Sequence, residues 1–461
     1  MQMGSAGGDS DAPDRADLRA GGGADARSGG GDGARAGGGD GVRASGGGGA
    51  RAGDGSGVLA AGSGSGGRTR RVTPGRVFVG ALVLVAAVVV VTGILPPASS
   101  VALAERVGPV LGFVVAITVV TELAADAGLF SVVSDRLAAW GRGRVWMLWV
   151  FVLVLATVST LFLSLDTTAV LVTPVVVLLA LNAGISPIPF AVATVWLANT
   201  ASLLLPISNL TNLLAAEQMS GGSPAGFVAV VWAPALVGIV VPVVLLSLLF
   251  RRRLRGAFTV PAATAVRDRR LLVVAGVVVL VLLPLLVSGL PVWIPATAGA
   301  VVLVLAFVLR RRFEPLTWRL VPWSPVAIAA GLFVIVEAAQ VHGLSTLVGS
   351  VAGSGSSFFA LLQLSGLGML AANGINNLPA YLVLEPAAAG SSVRLAALLI
   401  GVNLGPLITP WASLATLLWH QRVTSLGVTV SWPRFMLFGA LAVVVTVPLA
   451  VLALWLASGT P

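Results

Sequence analysis

From Val77 to Leu456 the chain is a succession of apolar runs, most long enough to cross a bilayer, separated by short polar or Arg-rich stretches. The runs are continuous and do not alternate every second residue, so they specify membrane-spanning helices and not barrel strands. With 57% of its residues hydrophobic and 10% charged, the chain carries more apolar surface than a soluble domain can hide. The fold class that follows is an all-α polytopic membrane protein.

All 28 basic residues are Arg, and with 18 acidic residues the net charge is +10. The Arg residues sit in short loops and in an N-terminal tail, so the charge reports membrane orientation and points away from nucleic acid. There are no cysteines and two histidines, His342 and His420. A thiolate or His cage for a metal is therefore not expected, nor is any cofactor. Nothing brings together a nucleophile, a base and an oxyanion site, which argues against an enzyme. Residues 1–76 are Gly-rich with scattered Asp and Arg, and read as a disordered cytoplasmic tail.

Full spans are expected at about 77–95, 107–125, 186–217, 226–250, 271–288, 291–309, 322–340, 393–419 and 435–457. Two further pairs of apolar limbs, 145–163 with 167–182 and 356–371 with 378–389, fold back around "SLDTT" (Ser164 to Thr168) and "NGINNLP" (Asn373 to Pro379). Arg136, Arg142, Arg144, the seven Arg between Arg251 and Arg270, and Arg310 to Arg312 all fall on one side of this scheme. That side reads as cytoplasmic, with the N-terminus, in a multi-pass protein of the cell membrane.

The two halves also match each other. "VVTELAADAGL" aligns with "VIVEAAQVHGL", pairing Glu122 with Glu337 and Gly128 with Gly343. "NTASLLLPISNLTNLL" aligns with "NLGPLITPWASLATLL", pairing Asn199 with Asn403 and Pro206 with Pro410. A first transmembrane repeat at 77–250, a basic loop and connecting helix at 251–290 and a second repeat at 291–461 are expected. The odd connector inverts the second repeat, which is the arithmetic of a secondary transporter.

In such architectures the binding site lies near the midplane, where half-helix ends meet. A helix broken at Pro206 frees backbone groups that cannot face lipid and must line a cavity or bind something. Asn199, Thr200 and Ser202 precede that break; Ser208 and Asn209 follow it. Asn403, Thr409 and Ser413 repeat the device around Pro410. The hairpin tips add Thr167 and Thr168 on one side, Asn376 and Asn377 on the other. These twelve residues are the expected substrate-binding set. Asp166, a carboxylate at a chain break, is the expected coupling-ion residue, although capping of the second limb is an alternative role for it. Glu122 and Glu337 read as interfacial side chains or proton carriers.

With these residues in view the chain resembles the ArsB-type arsenical pump membrane proteins, within the ion-transporter superfamily that also holds sodium/proton antiporters and sodium-coupled dicarboxylate carriers. The resemblance runs from about residue 77 onward and is carried by "DTTAVLVTPVV", "NTASLLLPISNLTNLL", "NNLPAYL" and "NLGPLITPWASLATLLW". It implies export of arsenite or antimonite, driven by the proton gradient or a cytoplasmic ATPase partner, and a possible homodimer. It also implies that hairpin-tip roles fall on Asp166, Asn376 and Asn377, and broken-helix roles on Asn199, Ser208, Asn209, Asn403 and Thr409. Leu165, Asn199, Asn403 and Leu407 stand where some relatives carry Asn, Asp or Lys, so the expected site is less charged than theirs. A sodium-coupled carrier of a dicarboxylate or other small anion is the alternative.

Overall fold

The computed structural model describes residues 74–459. The expected disordered tail lies outside the described residues, except that Pro74 to Arg76 open the first helix, Pro74–Val91. Among the described residues every regular element is helical, and one isolated bridge pairs Arg144 with Ala257.

Among the described residues seven helices are long and apolar enough to cross a bilayer, and they include both limbs of the first hairpin, Val145–Leu163 and Leu165–Asn182. The first limb of the second hairpin, Phe358–Ile375, is also among them. Two expected spans, 186–217 and 393–419, are interrupted as the polar stretches foretell. Ile188–Thr200 gives way to tight turns and an extended Leu205 and Asn209 before Leu210–Ser220 resumes. Ser392–Leu404 gives way in the same manner before Leu414–Ser425. The residues that restart the helices, Asn209 (φ −150°, ψ 143°) and Ser413 (φ −140°, ψ 138°), have the same backbone conformation.

Two expectations need correction. The span placed at 107–125 is a 30-residue helix, Pro97–Asp126, which begins ten residues earlier behind Pro96. Its early turns leave Glu105 exposed and bring Arg106, partly buried, against a buried carboxylate, Glu385. The segments left between spans also hold helices, Leu129–Trp140 and Ser345–Ala352. Each follows a glycine with positive φ, Gly128 (89°) and Gly343 (101°), a conformation costly for any residue with a Cβ. That explains why the aligned halves both carry Gly there.

Apolar packing forms two cores. The smaller joins the second half of Pro97–Asp126 to Arg269–Leu285 and Trp293–Leu309, and reaches the first break through Leu205, Ile207 and Leu213. The larger holds the hairpins, the half-helices and the long helices Pro224–Phe250 and Trp432–Ser458. Outward faces of the long helices present Val240, Val244, Leu441 and Val444, as a lipid-facing belt requires.

Trp432–Ser458 lies so close to the second break that a Cβ on Gly439 would collide with the Leu407 carbonyl. Gly439→Val should destabilise the protein by about 1–3 kcal/mol, read as a lower thermal midpoint, whereas Val444→Leu on the lipid face should leave it unchanged. In the basic loop Asp268 caps Arg269–Leu285 by accepting from the Arg270 and Leu271 amides, and its other oxygen accepts from Arg310. The Arg310 hydrogen bond foremost, then the two amides, hold its carboxyl below the usual value. This contribution is complete above the ordinary carboxylate range and is lost as pH falls through the lowered value. Asp268→Asn should therefore reduce the acid sensitivity of the thermal midpoint below about pH 4.

Candidate functional site

Each hairpin turns on one residue in a strained backbone conformation. Ser164 (φ 102°, ψ 160°) ends Val145–Leu163, and Asn376 (φ 103°, ψ 153°) ends Phe358–Ile375. Both then cap the limb that follows: Ser164 Oγ accepts from the Thr167 amide, and Asn376 Oδ1 accepts from the Leu378 amide. Non-glycine residues hold such torsions only where surroundings enforce them, and they cluster at functional sites. Because Ser164 supplies the cap, Asp166 is not needed for it. The Asp166 side chain is half-buried, and among the described residues no side chain or amide donates to it.

The breaks are tied to the tips by one repeated contact. Three positions before each tip residue, the carbonyl accepts from the break of its own half. Leu161 O accepts from Ser208 Oγ at 2.7 Å. Asn373 O accepts from Thr409 Oγ1 at 2.9 Å and from Trp411 Nε1 at 2.7 Å. Asn373 also donates to Gly405 O and accepts from the Thr409 amide, and the Asn377 amide donates to Ala412 O. Backbone groups freed by the second break are thus partly satisfied by the second tip.

Asn403 joins the halves. Its Oδ1 accepts from Asn209 Nδ2 and Thr211 Oγ1, each at 3.0 Å, and its Nδ2 donates to Asn212 Oδ1 at 2.6 Å. Asn212 in turn donates to the carbonyls of Ser202 and Leu205 inside the first break. Asn199 Nδ2 reaches Thr416 Oγ1 at 3.4 Å. Asn199 aligns with Asn403, and Asn212 with Thr416, so the two cross-contacts are reciprocal. The hairpins follow the same rule. Leu165–Val172 packs on Leu414–Ser425, and Asn377–Ala388 packs on Leu210–Ser220.

The expected residues therefore divide by what they touch. Asn199, Asn209 and Asn403 share the amide cluster that Thr211, Asn212 and Thr416 complete, all buried. Asn376 and Asn377 hold the second tip against the second break, and Thr409 bonds Asn373 within it. Thr167 and Thr168 spend their hydroxyls inside the first hairpin, on Leu163 O, Thr160 and Ser159. Ser202 bonds Asn199 O. Two hydroxyls of this set stand apart: those of Thr200 and Ser413 are buried with no partner among the described residues. Sequence reading left out Asn373, Thr211, Asn212 and Thr416; the offset that pairs Asn199 with Asn403 also pairs Asn212 with Thr416 and was the available signal.

Two cavities, of about 310 and 330 Å³, lie elsewhere, one beside Asp126, Arg267 and Arg312, the other beside Trp196, Arg253 and Arg434. Among the described residues no cluster of three or more His, Asp or Glu is placed to hold a metal. What the junction offers is neutral, amides, hydroxyls and carbonyls suited to a small polar solute or ion.

The family model for citrate transporters matches residues 74–418. The arsenical pump membrane protein of Yersinia enterocolitica is 30% identical over 372 residues, 74% of this chain and 85% of that protein. The arsenical pump membrane protein of Escherichia coli K12 is 29% identical over 400 residues, 80% and 91% of the two chains. A 46 kDa membrane protein of Mycobacterium leprae is 26% identical over 380 residues, 75% and 86% of the two chains. Among solved structures, the YdaH transporter of Alcanivorax borkumensis, described as having an unusual topology, superposes with a TM-score of 0.50 at 16% identity, covering 84% of this chain and 97% of that one. That likeness speaks to the fold. The chain is a multi-pass membrane transporter that belongs to the citrate transporter family and is similar to curated arsenical pump membrane proteins.

Proposed function

We propose that this transporter exports arsenite or antimonite, coupled to the proton gradient. The observation that carries the reading is the junction at Asn403, where both broken helices meet in a neutral cluster of amides and hydroxyls. Arsenite near neutral pH is mostly an uncharged trihydroxide, whose O–H groups need acceptors and whose oxygens need donors. The unpartnered hydroxyls of Thr200 and Ser413 flank the junction and supply both. No thiol is required, in keeping with a chain that has none. The names of the curated relatives support the same substrate.

In this reading residues 77–250 and 291–461 are repeats of opposite orientation about the connector 251–290, with the N-terminus cytoplasmic, and alternating access rocks one bundle against another around the junction. Asp166, with no donor committed to it, takes up and releases the coupling proton. The citrate transporter family match favours a second reading, in which the junction holds a carboxylate-bearing anion and hairpin carbonyls hold sodium.

An arsenite-sensitive bacterium expressing the wild type should accumulate less arsenite than the empty host. Asn403→Ala strands the amides and hydroxyls it bonds, at about 1–3 kcal/mol, so export should fall by roughly 10- to 100-fold. Asp166→Asn should abolish proton-driven arsenite uptake into everted vesicles. Uptake that requires sodium and ignores the proton gradient would favour the anion reading instead.

A further inference from the structure

The half-helix Leu210–Ser220 starts at Asn209, in the junction, and the hairpin limb Asn377–Ala388 starts at Asn377, at the second tip. About two turns on, roughly 12 Å away, these two elements meet at a second polar cluster. There Glu385 Oε1 accepts from Gln218 Nε2 at 2.6 Å, from Tyr381 Oη at 3.0 Å and from the Arg106 guanidinium. Glu385 is 5% exposed, and Tyr381, the chain's single tyrosine, is fully buried. Arg106 and Gln218 come from the first half of the chain, Tyr381 and Glu385 from the second. Arg106 also lies on the helix whose far end builds the smaller core.

We propose that Glu385 is a second proton-binding site of the transporter, whose protonation releases Arg106 and unlocks the hairpin limb from helix Pro97–Asp126. The inference rests on the proton-coupled reading above. Glu385 is the buried partner of this pair and Arg106 the partly exposed one; burying a carboxylate costs desolvation that one ion pair repays only in part, and an ionisable group inside a membrane bundle is a functional candidate by default. One proton added to the Glu385 carboxylate cancels the charge that holds the guanidinium, and Gln218 and Tyr381 lose much of their acceptor. Rocking one bundle against the other then no longer separates opposite charges in a low-dielectric interior. Because the helices that converge on Glu385 begin at the junction and at the second tip, a solute bound between them shifts this cluster through rigid elements.

The charged and titratable surroundings are few. Glu337, on helix Trp323–Ala339, is the other carboxylate whose field reaches Glu385. Arg394, on Ser392–Leu404, is occupied by the carbonyls of Ala352, Gly353, Gly355 and Ala387. The adjoining helices Ser345–Ala352 and Phe358–Ile375 carry no titratable side chain, Leu210–Ser220 adds Glu217 and Pro97–Asp126 adds Glu105, both exposed, and His342 lies two residues beyond Gln340, which bonds Leu382 O.

The test uses the purified full chain in lipid nanodiscs, with folding of each variant checked by gel filtration. On acidification, the infrared difference spectrum of the wild type should gain a protonated-carboxyl band that is missing in Glu385→Gln and retained in Glu337→Gln. In Arg106→Gln the band should appear at higher pH. In proteoliposomes, Glu385→Gln should keep arsenite exchange between equal concentrations but lose its dependence on pH. Identical spectra in wild type and Glu385→Gln, or an unchanged pH profile of exchange, would overturn the proposal. A wild type with the band but no arsenite transport would sink the substrate reading alone.

Discussion

A backbone group inside a bilayer has no water to turn to, so a helix interrupted at membrane depth must find partners within the protein. The architecture follows from that constraint. Both breaks free amides and carbonyls, and both draw on the hairpin of their own half: Leu161 O takes the Ser208 hydroxyl, and Asn373 ties down Gly405, Thr409 and Trp411. The hairpins close by bending one residue each into a conformation that would be costly elsewhere, at Ser164 and Asn376. Tip and break are therefore one structural unit, used twice.

What joins two such units is their mutual exchange of side chains. Asn403 bonds the restarted helix of the first half, and Asn199 does the same to the second through Thr416. The junction is built from uncharged groups, so it holds its shape without the desolvation cost of buried ions. Charged side chains inside the bundle are few, and Arg394 among them spends its guanidinium on backbone carbonyls. Asp166 stands beside the first tip without a committed donor, and Glu385 stands two turns from the second with three.

Much of this was legible in the sequence because interruptions of a lipid-like composition are conspicuous. Pro206 and Pro410, and the Asn and Ser around them, announced the breaks, and "SLDTT" and "NGINNLP" announced the turns. The Gly128 and Gly343 match foretold a shared backbone need, although the helices that follow them, Leu129–Trp140 and Ser345–Ala352, were not expected. Hydropathy also ended one span at 107, outside Arg106, because a run-length rule excludes a charge whose partner is 279 positions away. The same limit hid Glu385, which the sequence shows only as a carboxylate in an apolar limb. Long-range pairing is decided by packing, which one sequence does not display.

The most direct test of the central claim is equilibrium binding of arsenite to the purified protein in nanodiscs, with bound arsenic counted by mass spectrometry in wild type and Asn403→Ala. A site at the junction of the two broken helices predicts saturable binding to the wild type and its loss in Asn403→Ala, with folding intact. Undiminished binding in the folded variant would contradict it and move the site away from the junction.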